Sequence, residues 1–328
     1  MIFSPMATGN GAYILHKNIE HYINDYKVLP YNPYKTLFPP ILFPIGRFNR
    51  ADIIHTTPDY GIFHKRRDVP LILTFHNYVL DRFMRQYSSP LQSIHYMTDL
   101  RWFTSLSISQ ACQLTAVSHF TANLAKQSLG LKDDIQVIYN GIDQKKFFPK
   151  KKRNNKEVNV LFCGNLTKRK GAHWLESIAD RLSSNISIQY TEGLRGMGAT
   201  LSHLKLKSIG RVKYQNMSEV YNQADILLFP TVREGLSLAA LEAMACGLPV
   251  VASNCSSMPE LIDEGKGGFL CSVGDVDAIA EKLNLLADNA PLRKEMGEYN
   301  RVKVESQFAL DRMINEYKNL FIKTLDER

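Results

Sequence analysis

One ten-residue stretch organises this sequence: Arg233-Glu234-Gly235-Leu236-Ser237-Leu238-Ala239-Ala240-Leu241-Glu242. It carries two carboxylates eight positions apart, on Glu234 and Glu242. The residues just before it, from Ala224 to Pro230, form a short apolar run closed by proline, which is typical of a buried parallel strand. The sequence therefore predicts that Glu234 lies in a loop that follows a strand.

A helix is predicted directly after this loop. Leu238, Leu241 and Ala245 recur at helical spacing, and Gly247 followed by Pro249 is a common helix end. The free N–H groups at the start of a helix, together with the helix dipole, favour a bound phosphate. The residues predicted to approach such a phosphate are Gly235, Leu236, Ser237 and Leu238.

The spacing of the two carboxylates is compatible with two chemistries. Glu242 lies about two helical turns beyond the loop, so it can accept hydrogen bonds from a vicinal diol such as a ribose. Glu234 can then meet a group near the phosphate. A hydrolase that uses paired acids needs a similar separation, so the spacing alone leaves both possibilities open.

The string from Glu234 to Glu242, followed by Ala-Met-Ala-Cys-Gly-Leu-Pro-Val-Val-Ala-Ser at residues 243–253, resembles the retaining glycosyltransferases of family 4. The resemblance implies the fold called GT-B: two Rossmann-like doubly wound parallel-sheet domains, an active site in the cleft between them, and a C-terminal helix that crosses back. It also implies that Glu234 contacts hydroxyl groups of a donor sugar and that Glu242 contacts the ribose of a nucleotide.

A further anion-binding loop is predicted where the second half of the chain begins. An apolar strand is followed by Gly164-Asn165 and then by a basic run that ends at Lys170. This order of strand, glycine turn, basic loop and helix is typical of an anion site. Arg169 can bond two phosphate oxygens, and Lys170 supplies a point charge. The family has Lys-Gly here, matched by Lys170-Gly171, and often an arginine where this chain has Asn165, so we assign that role to Arg169.

Two loops of the first half match donor-side loops of the family. Gly9, Asn10 and Gly11 follow a short first strand, where the family usually has a glycine-rich loop near the donor diphosphate. His76 follows a buried strand, and side chains just past such strand ends face the crevice where α/β proteins bind ligands. The family commonly has a histidine beside the donor sugar at this position. His55 ends the preceding strand and is a weaker candidate.

The resemblance implies a complete donor site. In the family, the backbone of the segment matching Arg211 and Val212 holds the base, so no side chain distinguishes uracil from guanine. We expect a UDP-sugar or a GDP-sugar, no cofactor, no required metal, and a glycan or lipid-linked acceptor. Retention in the family is usually drawn as front-side departure and attack, so no side chain is needed as a nucleophile. The predicted catalytic residues are His76, Arg169, Lys170 and Glu234.

Length and composition predict two domains. The chain has 328 residues, of which 45% are apolar, and this is long for a single core. The turn Asn140-Gly141-Ile142-Asp143 is similar to the string at which the family leaves its first domain. The basic run at residues 148–156 is interpreted as a solvated linker and not as a nucleic-acid site. We predict an acceptor-side domain at 1–149, a nucleotide-sugar domain at 150–307 and a returning helix at 308–328.

The sequence offers no convincing metal site. Asp275-Val276-Asp277 is a DxD string, which binds metal in a different glycosyltransferase fold, but Gly274-Asp275 before an amphipathic run predicts a helix N-cap. The five cysteines have no CxxC pairing and no ligand-like histidine spacing. They are interpreted as reduced thiols.

The first half of the chain is the basic half. Residues 1–150 hold 16 Lys and Arg against 10 Asp and Glu, so +6 of the net charge of +8 lies there. Residues 26–50 interleave aromatic, basic and proline residues, and the prolines argue against regular structure in this segment. The segment can pack on its own domain, frame an acceptor groove or enter a membrane interface. We predict a cytoplasmic protein, with peripheral binding to the anionic inner face of the cytoplasmic membrane as a hypothesis.

Three other functions were compared with glycosyl transfer. A nucleotide-sugar 2-epimerase shares the GT-B architecture, but the string from Glu234 to Glu242 favours transfer. A non-catalytic partner subunit that binds nucleotide-sugar is disfavoured because Lys170, Glu234 and Glu242 are all present. A dehydrogenase that uses NAD is disfavoured because no GxGxxG opens a helix with an acidic residue about 20 positions further on.

Overall fold

The structure, a computed structural model, describes residues 1–47, 50–150, 157–193 and 201–327. The chain divides into two compact units, one of Met1–Asn140 with Asp311–Arg328 and the other of Gly141–Leu310. Of the predicted features, Phe48 in the aromatic segment and residues 151–156 of the basic run lie outside the described residues. The predicted domain boundaries at 149/150 and 307/308 stay predictions.

The first unit is built on a parallel sheet. Its strands are β1 (Ile2–Ala7), β2 (Tyr26–Tyr31), β3 (Ile53–Thr56), β4 (Leu71–Phe75), β5 (Gln113–Ala116) and β6 (Gln136–Val137). Its helices before residue 141 are α1 (Gly11–Tyr22), α2 (Pro90–Met97), α3 (Asp99–Ser109) and α4 (His119–Leu129). The strand order is β2-β1-β3-β4-β5-β6, and all neighbours are parallel. The apolar runs of β3 and β4 are buried on both faces, as expected for strands inside a parallel sheet.

The expectation that prolines prevent regular structure from residue 26 is wrong for the first six residues. Tyr26–Tyr31 form β2, which pairs along its whole length with β1. Pro30 lacks an N–H group, but β2 is an edge strand, and an edge leaves one side of its backbone unpaired. The prolines act as expected further on, where short 3₁₀ helices cover Pro33–Leu37 and Pro39–Leu42.

The second unit repeats this architecture. Its strands are β7 (Val158–Phe162), β8 (Ile186–Tyr190), β9 (Leu206–Ser208), β10 (Ile226–Phe229), β11 (Val250–Ser253) and β12 (Gly268–Cys271). Its helices are α5 (Leu175–Asp180), α6 (Met217–Gln223), α7 (Leu238–Ala245), α8 (Met258–Leu261), α9 (Val276–Asp288) and α10 (Ala290–Gln307). The parallel order is β12-β11-β10-β7-β8-β9, so the winding reverses between β7 and β10. Such a reversal opens a crevice at the carboxyl ends of the strands.

The final helix, α11 (Leu310–Asp326), packs on the first unit. The rings of Tyr317 and Phe321 lie with centroids 5.3 and 5.5 Å from the ring of His55. Phe321 also lies 5.8 Å from the ring of Tyr26. Each unit is thus a doubly wound parallel sheet covered by helices, which confirms the predicted fold class.

Candidate active site

Three charged side chains meet where the winding of the second sheet reverses. The ammonium of Lys170 lies 2.7 Å from Oε1 of Glu234, and Nη1 of Arg169 lies 3.3 Å from the same oxygen. Lys170 and Arg169 follow β7, whereas Glu234 follows the neighbouring strand β10. Two loops that are distant in sequence therefore place two cations and one carboxylate at the crevice that the topology predicts.

Gly171 allows these two loops to touch. It has a φ of +78°, and a Cβ built on it would lie 1.9 Å from the carbonyl oxygen of Pro230. Beside this contact, the N–H of Val232 donates to the carbonyl of Arg169 at 2.9 Å. The hydroxyl oxygen of Thr231 lies 3.1 Å from the oxygen of the same carbonyl. Glycine is needed here both for its left-handed conformation and for the close backbone approach.

We expect Gly171→Ala to separate the two loops. The added methyl group cannot fit against the backbone of Pro230, and the left-handed φ adds strain of roughly 1 kcal/mol or more. Thermal unfolding should show a clear loss of stability. Gly265→Ala is a matched control, because Gly265 has a similar φ of +73° but no atom lies within 4 Å of a Cβ built on it. Equal destabilisation of both variants would show that the contact with Pro230 does not matter.

The carboxylate of Glu234 is buried and held from several sides. Burial by itself raises its pKa, but the charges of Lys170 and Arg169 and the hydrogen bonds from Lys170 and Thr231 outweigh burial and hold the pKa below its usual value. The hydroxyl of Thr231 donates to Oε1 at 2.8 Å. The N–H of Glu234 donates to the hydroxyl of Ser256 at 2.9 Å. Glu234 is therefore ionised and fixed in position at neutral pH.

Ser256 is a residue that sequence reasoning missed. It has a φ of +49°, a left-handed conformation that costs a residue with a Cβ roughly 1–2 kcal/mol. Its hydroxyl accepts the hydrogen bond from the backbone of Glu234, so the strained residue positions the loop. No sequence signal marks this serine, because only the tertiary structure places it beside Glu234.

Glu242 lies on α7 in a second polar cluster. Its Oε2 accepts a hydrogen bond of 2.9 Å from the hydroxyl of Tyr221, and the residue is 5% exposed. Burial raises its pKa to about 7, although hydrogen bonds from Tyr221 and Tyr214 and the charge of Lys146 act in the opposite direction. The ammonium of Lys146 lies 3.5 Å from the centroid of the Tyr214 ring. These three partners of Glu242 were not predicted.

The other predicted donor-site residues of the second unit lie at the carboxyl ends of its strands. Gly164 follows β7 with a φ of +140°, and a Cβ on it would lie 3.8 Å from Cε of Lys170. Its N–H donates to the hydroxyl of Thr191. Asn165 lies next to it, and a Cβ added to Gly193 would meet the Asn165 side chain at 2.1 Å. Arg211 is exposed beyond β9. The remaining predicted residues are Val212 near Arg211, and Gly235, Leu236, Ser237 and Leu238 between Glu234 and Glu242.

Helix boundaries around Glu242 follow the prediction. Ser237 is the N-cap of α7, and its hydroxyl accepts from the N–H of Ala240 at 3.2 Å. Gly247 has a φ of +75°, which suits the residue that follows a helix end. The predicted N-cap at Asp275 is also confirmed, because its carboxylate accepts from the N–H of Ala278 at 2.9 Å. Within the described parts of the chain, no group of three or more His, Cys, Asp or Glu side chains is arranged to hold a metal ion.

In the first unit, the loop after β1 and the end of β4 are linked through one histidine. Asn10 is the N-cap of α1, and its side-chain oxygen accepts from the N–H of Tyr13 at 2.8 Å. Gly9 has a φ of +81°, and Gly11 opens the helix. His76 follows β4 and is partly exposed. Nε2 of His76 lies 2.9 Å from Nε2 of His16 on α1.

Two family models match adjoining parts of the chain. The model described as Glycosyltransferase Family 4 matches residues 2–146, and the model described as Glycosyl transferases group 1 matches residues 157–289. Together they account for most of the chain. The matches correspond to the two compact units that the structure shows.

Known proteins with similar sequences and structures agree with these matches. An N-acetyl-alpha-D-glucosaminyl L-malate synthase of Bacillus anthracis is 24% identical over 92% of this chain and 83% of its own length. The sulfoquinovosyl transferase SQD2 of Arabidopsis thaliana is 26% identical over 82% of this chain and 56% of its own length. The structure of Anabaena Alr3699/HepE in complex with UDP-glucose superimposes with a TM-score of 0.80 and 18% identity, covering 100% of this chain and 99% of its own. This likeness shows the GT-B fold, which is built from two Rossmann-like domains.

Proposed function

Because this chain belongs to the glycosyltransferases of family 4, we propose that it moves a sugar from a nucleotide-sugar to a hydroxyl acceptor with retention of configuration. The observation that carries this proposal is the cluster of Arg169, Lys170 and Glu234 at the reversal of the second sheet. A nucleotide-sugar brings a diphosphate and a polyhydroxylated ring to one place. The two cations of the cluster can bind the diphosphate, and its carboxylate can accept hydrogen bonds from the hydroxyls of the ring.

Catalysis at this site rests on electrostatic stabilisation. As the glycosidic bond breaks, negative charge builds up on the departing diphosphate, and Lys170 and Arg169 stabilise that charge. Glu234, held ionised by the same cations, accepts hydrogen bonds from sugar hydroxyls and orients the ring. In a front-side mechanism the leaving phosphate takes the acceptor proton. The reaction then needs neither a nucleophilic side chain nor a required metal ion.

The donor is recognised at Glu242 and at two backbone loops. The ribose hydroxyls donate hydrogen bonds to Glu242. These bonds replace the ones that Tyr221 and Tyr214 donate to Glu242 in the free protein. The N–H groups at the start of α7 approach the diphosphate. The base lies against the backbone of Arg211 and Val212. UDP-sugars and GDP-sugars are the expected donors, and the UDP-glucose bound in the Anabaena structure supports the first.

Thermal melting of the purified protein with UDP, GDP, ADP and NAD tests the donor site. A nucleoside diphosphate at 100 times its dissociation constant should stabilise the fold by about 2.7 kcal/mol. Glu242→Ala should lose most of this effect, whereas Glu281→Ala, which removes an exposed carboxylate on α9, should keep it. If no nucleoside diphosphate shifts the melting of the parent, the proposed donor site is wrong.

The acceptor side is proposed to meet an anionic membrane. Eight exposed apolar side chains of the first unit lie in two segments, and we call them together the apolar face: Tyr34, Leu37, Phe38, Ile41, Phe43, Leu91, Ile94 and Met97. Tyr60 joins its two segments, since its hydroxyl lies 3.3 Å from Nε2 of His95 on α2 and also bonds Thr36. Leu37 is 82% exposed and Leu91 is 81% exposed. Exposed apolar patches of this kind usually mark a surface that binds a protein, a ligand or a membrane.

Charge favours an anionic lipid surface over other partners for this face. Residues 26–51 contain four basic residues and no acidic residue. Arg47, one of these four, lies 3.5 Å over the ring of Phe43 and is exposed. Each basic side chain near an anionic bilayer contributes roughly 1 kcal/mol. No helix among the described residues is long and apolar enough to span a bilayer. Glycolipid, lipopolysaccharide or polysaccharide assembly on lipid-linked acceptors would suit this arrangement.

We expect the protein to sediment with phosphatidylglycerol vesicles at low salt. About 0.5 M salt should release it, because salt screens the charges. The protein should not sediment with phosphatidylcholine vesicles. The double variant Leu37→Ser, Phe38→Ser should lose most of the binding. Leu204→Ser is the control, because Leu204 is 95% exposed but lies in the second unit. Failure of the parent to sediment at low salt would contradict the membrane proposal.

A further inference from the structure

A chain of short hydrogen bonds runs through the core of the first unit to His76. Nε2 of His76 lies 2.9 Å from Nε2 of His16. Nδ1 of His16 lies 2.6 Å from the hydroxyl of Tyr26, and that hydroxyl lies 2.8 Å from Nδ1 of His55. Nε2 of His55 lies 2.7 Å from the hydroxyl of Thr74, a residue of β4. We call this series the histidine chain.

The histidines of this chain are uncharged at neutral pH. Burial holds the pKa of His16 well below its usual value and lowers the pKa of His55 and His76 to about 3. Each ring faces other histidines or hydroxyl groups, and none of the three hydrogen-bonds a carboxylate among the described residues. A neutral imidazole has one N–H donor and one acceptor nitrogen.

These facts couple His16 and His76. Two hydroxyl groups bond Nδ1 of His16, that of Ser4 at 2.7 Å and that of Tyr26 at 2.6 Å. The bond between the two Nε2 atoms requires one donor and one acceptor. His16 and His76 therefore carry their protons on opposite nitrogens.

We propose that His16 is a positioning residue for His76, and that the bonds of His16 to Ser4 and Tyr26 hold the two rings in one pair of opposite tautomers. Nδ1 of His76 has no hydrogen-bond partner among the described residues, and the ring is partly exposed. Held in one tautomer, this nitrogen presents one kind of polar atom to a ligand, either always a donor or always an acceptor. The functional part of the inference rests on the proposed place of His76 beside the donor sugar.

The tautomers can be read directly in the parent protein. In a sample with ¹⁵N-labelled histidine, two-bond ¹⁵N–¹H correlation spectra distinguish protons on Nδ1 from protons on Nε2. We expect His16 and His76 to have opposite tautomers at pH 7. Equal tautomers on these two residues, or a charged imidazolium on either of them, would overturn the proposal. This measurement needs no variant and no ligand.

Breaking the chain should free the tautomer of His76 and weaken sugar recognition. The double variant Ser4→Ala, Tyr26→Phe removes both hydroxyls that bond Nδ1 of His16, while Tyr78→Phe is the control, because it removes a buried hydroxyl that bonds Ser128. In the double variant we expect His76 to show both tautomers. We also expect about tenfold weaker binding of UDP-glucose or GDP-mannose, the loss of one well-placed hydrogen bond, with UDP or GDP binding unchanged.

The outcomes separate this inference from the proposed function. If neither nucleotide-sugar binds the parent, the donor site is wrong, but the tautomer pattern still tests the histidine chain. If the parent binds a nucleotide-sugar and the double variant changes neither the His76 spectrum nor the affinity for nucleotide-sugar relative to that for the nucleoside diphosphate, the positioning role is wrong. If Tyr78→Phe causes the same losses, the effect is one of general stability, and the positioning role is again wrong.

Discussion

Lys170→Met is expected to lower kcat by about 10²- to 10³-fold, the usual loss when one preorganised charge that stabilises a transition state is removed. The ammonium of Lys170 lies 2.7 Å from Glu234 and 4.8 Å from the centroid of the Phe229 ring, with 14% of the side chain exposed. A charge that is largely shielded from water interacts strongly with a departing diphosphate, because the local dielectric constant is low. Methionine keeps the apolar length of the side chain and removes only the charge.

The rate of nucleoside diphosphate release from the nucleotide-sugar selected by the melting experiment measures this effect. Lys168→Met is the control, because Lys168 lies in the same 3₁₀ turn but is exposed, and it should retain the activity of the parent. Removing Lys170 also leaves the Glu234 carboxylate with fewer partners, which lowers stability. The double variant Lys170→Met, Glu234→Gln should regain stability without regaining turnover. A single variant Lys170→Met with nearly full kcat would contradict the proposed role.

The second large effect is a dependence of donor affinity on pH. The pKa of Glu242 in the free protein is about 7, because the carboxyl is buried. Ribose hydroxyls donate to the ionised form, so donor binding requires loss of the proton. Affinity should fall about tenfold for each pH unit below 7, and by about 100-fold between pH 8 and pH 5. An intact nucleotide-sugar is the right probe, since its diphosphate has no ionisation in this range.

Glu242→Gln removes the titrating group, so its affinity should be lower and nearly constant with pH. The folding stability of the free protein depends on pH in the opposite direction to donor affinity, because the buried carboxyl of Glu242 favours its protonated form. The raised pKa of Glu242 means that its stabilising contribution is complete below the unfolded value near 4.5 and is lost as the pH rises through 7. Glu242→Gln should therefore gain stability relative to the parent between pH 5 and pH 8, by at most about 3 kcal/mol. A parent whose donor affinity does not vary with pH would contradict the contact with ribose.

Much of the fold follows from patterns that are local in sequence. Apolar runs followed by a glycine or polar loop predicted β1, β3, β4, β7 and β10. The end of α7 at Gly247 and the N-cap at Asp275 were predicted because the residues that make them are neighbours in sequence. The predicted irregular backbone at Pro30 was wrong because the edge position of β2 depends on the order of strands, which no local pattern contains.

The candidate site was only partly predictable for the same reason. Glu234, Glu242, Arg169 and Lys170 could be selected because the family string marks them. Their partners could not, since Tyr221, Tyr214 and Ser256 belong to other elements and meet the site only after folding. His55 was only a weak candidate, and its connection to His76 passes through His16 and Tyr26, which carried no signal of their own.

The sequence by itself determined the fold class, the family and the chemical types of the site residues, because short-range periodicity and motif spacing are properties of the chain. Only the tertiary structure decided which charges meet and how strongly they act. Arg169 and Glu234 are 65 positions apart, and His16 and His76 are 60 apart, yet each pair is in contact. The pKa values of Glu234 and Glu242 differ in direction because one buried carboxylate has two cations beside it and the other is held mainly by tyrosine hydroxyls. Burial and long-range neighbours set these energies, and both arise only when the chain is packed.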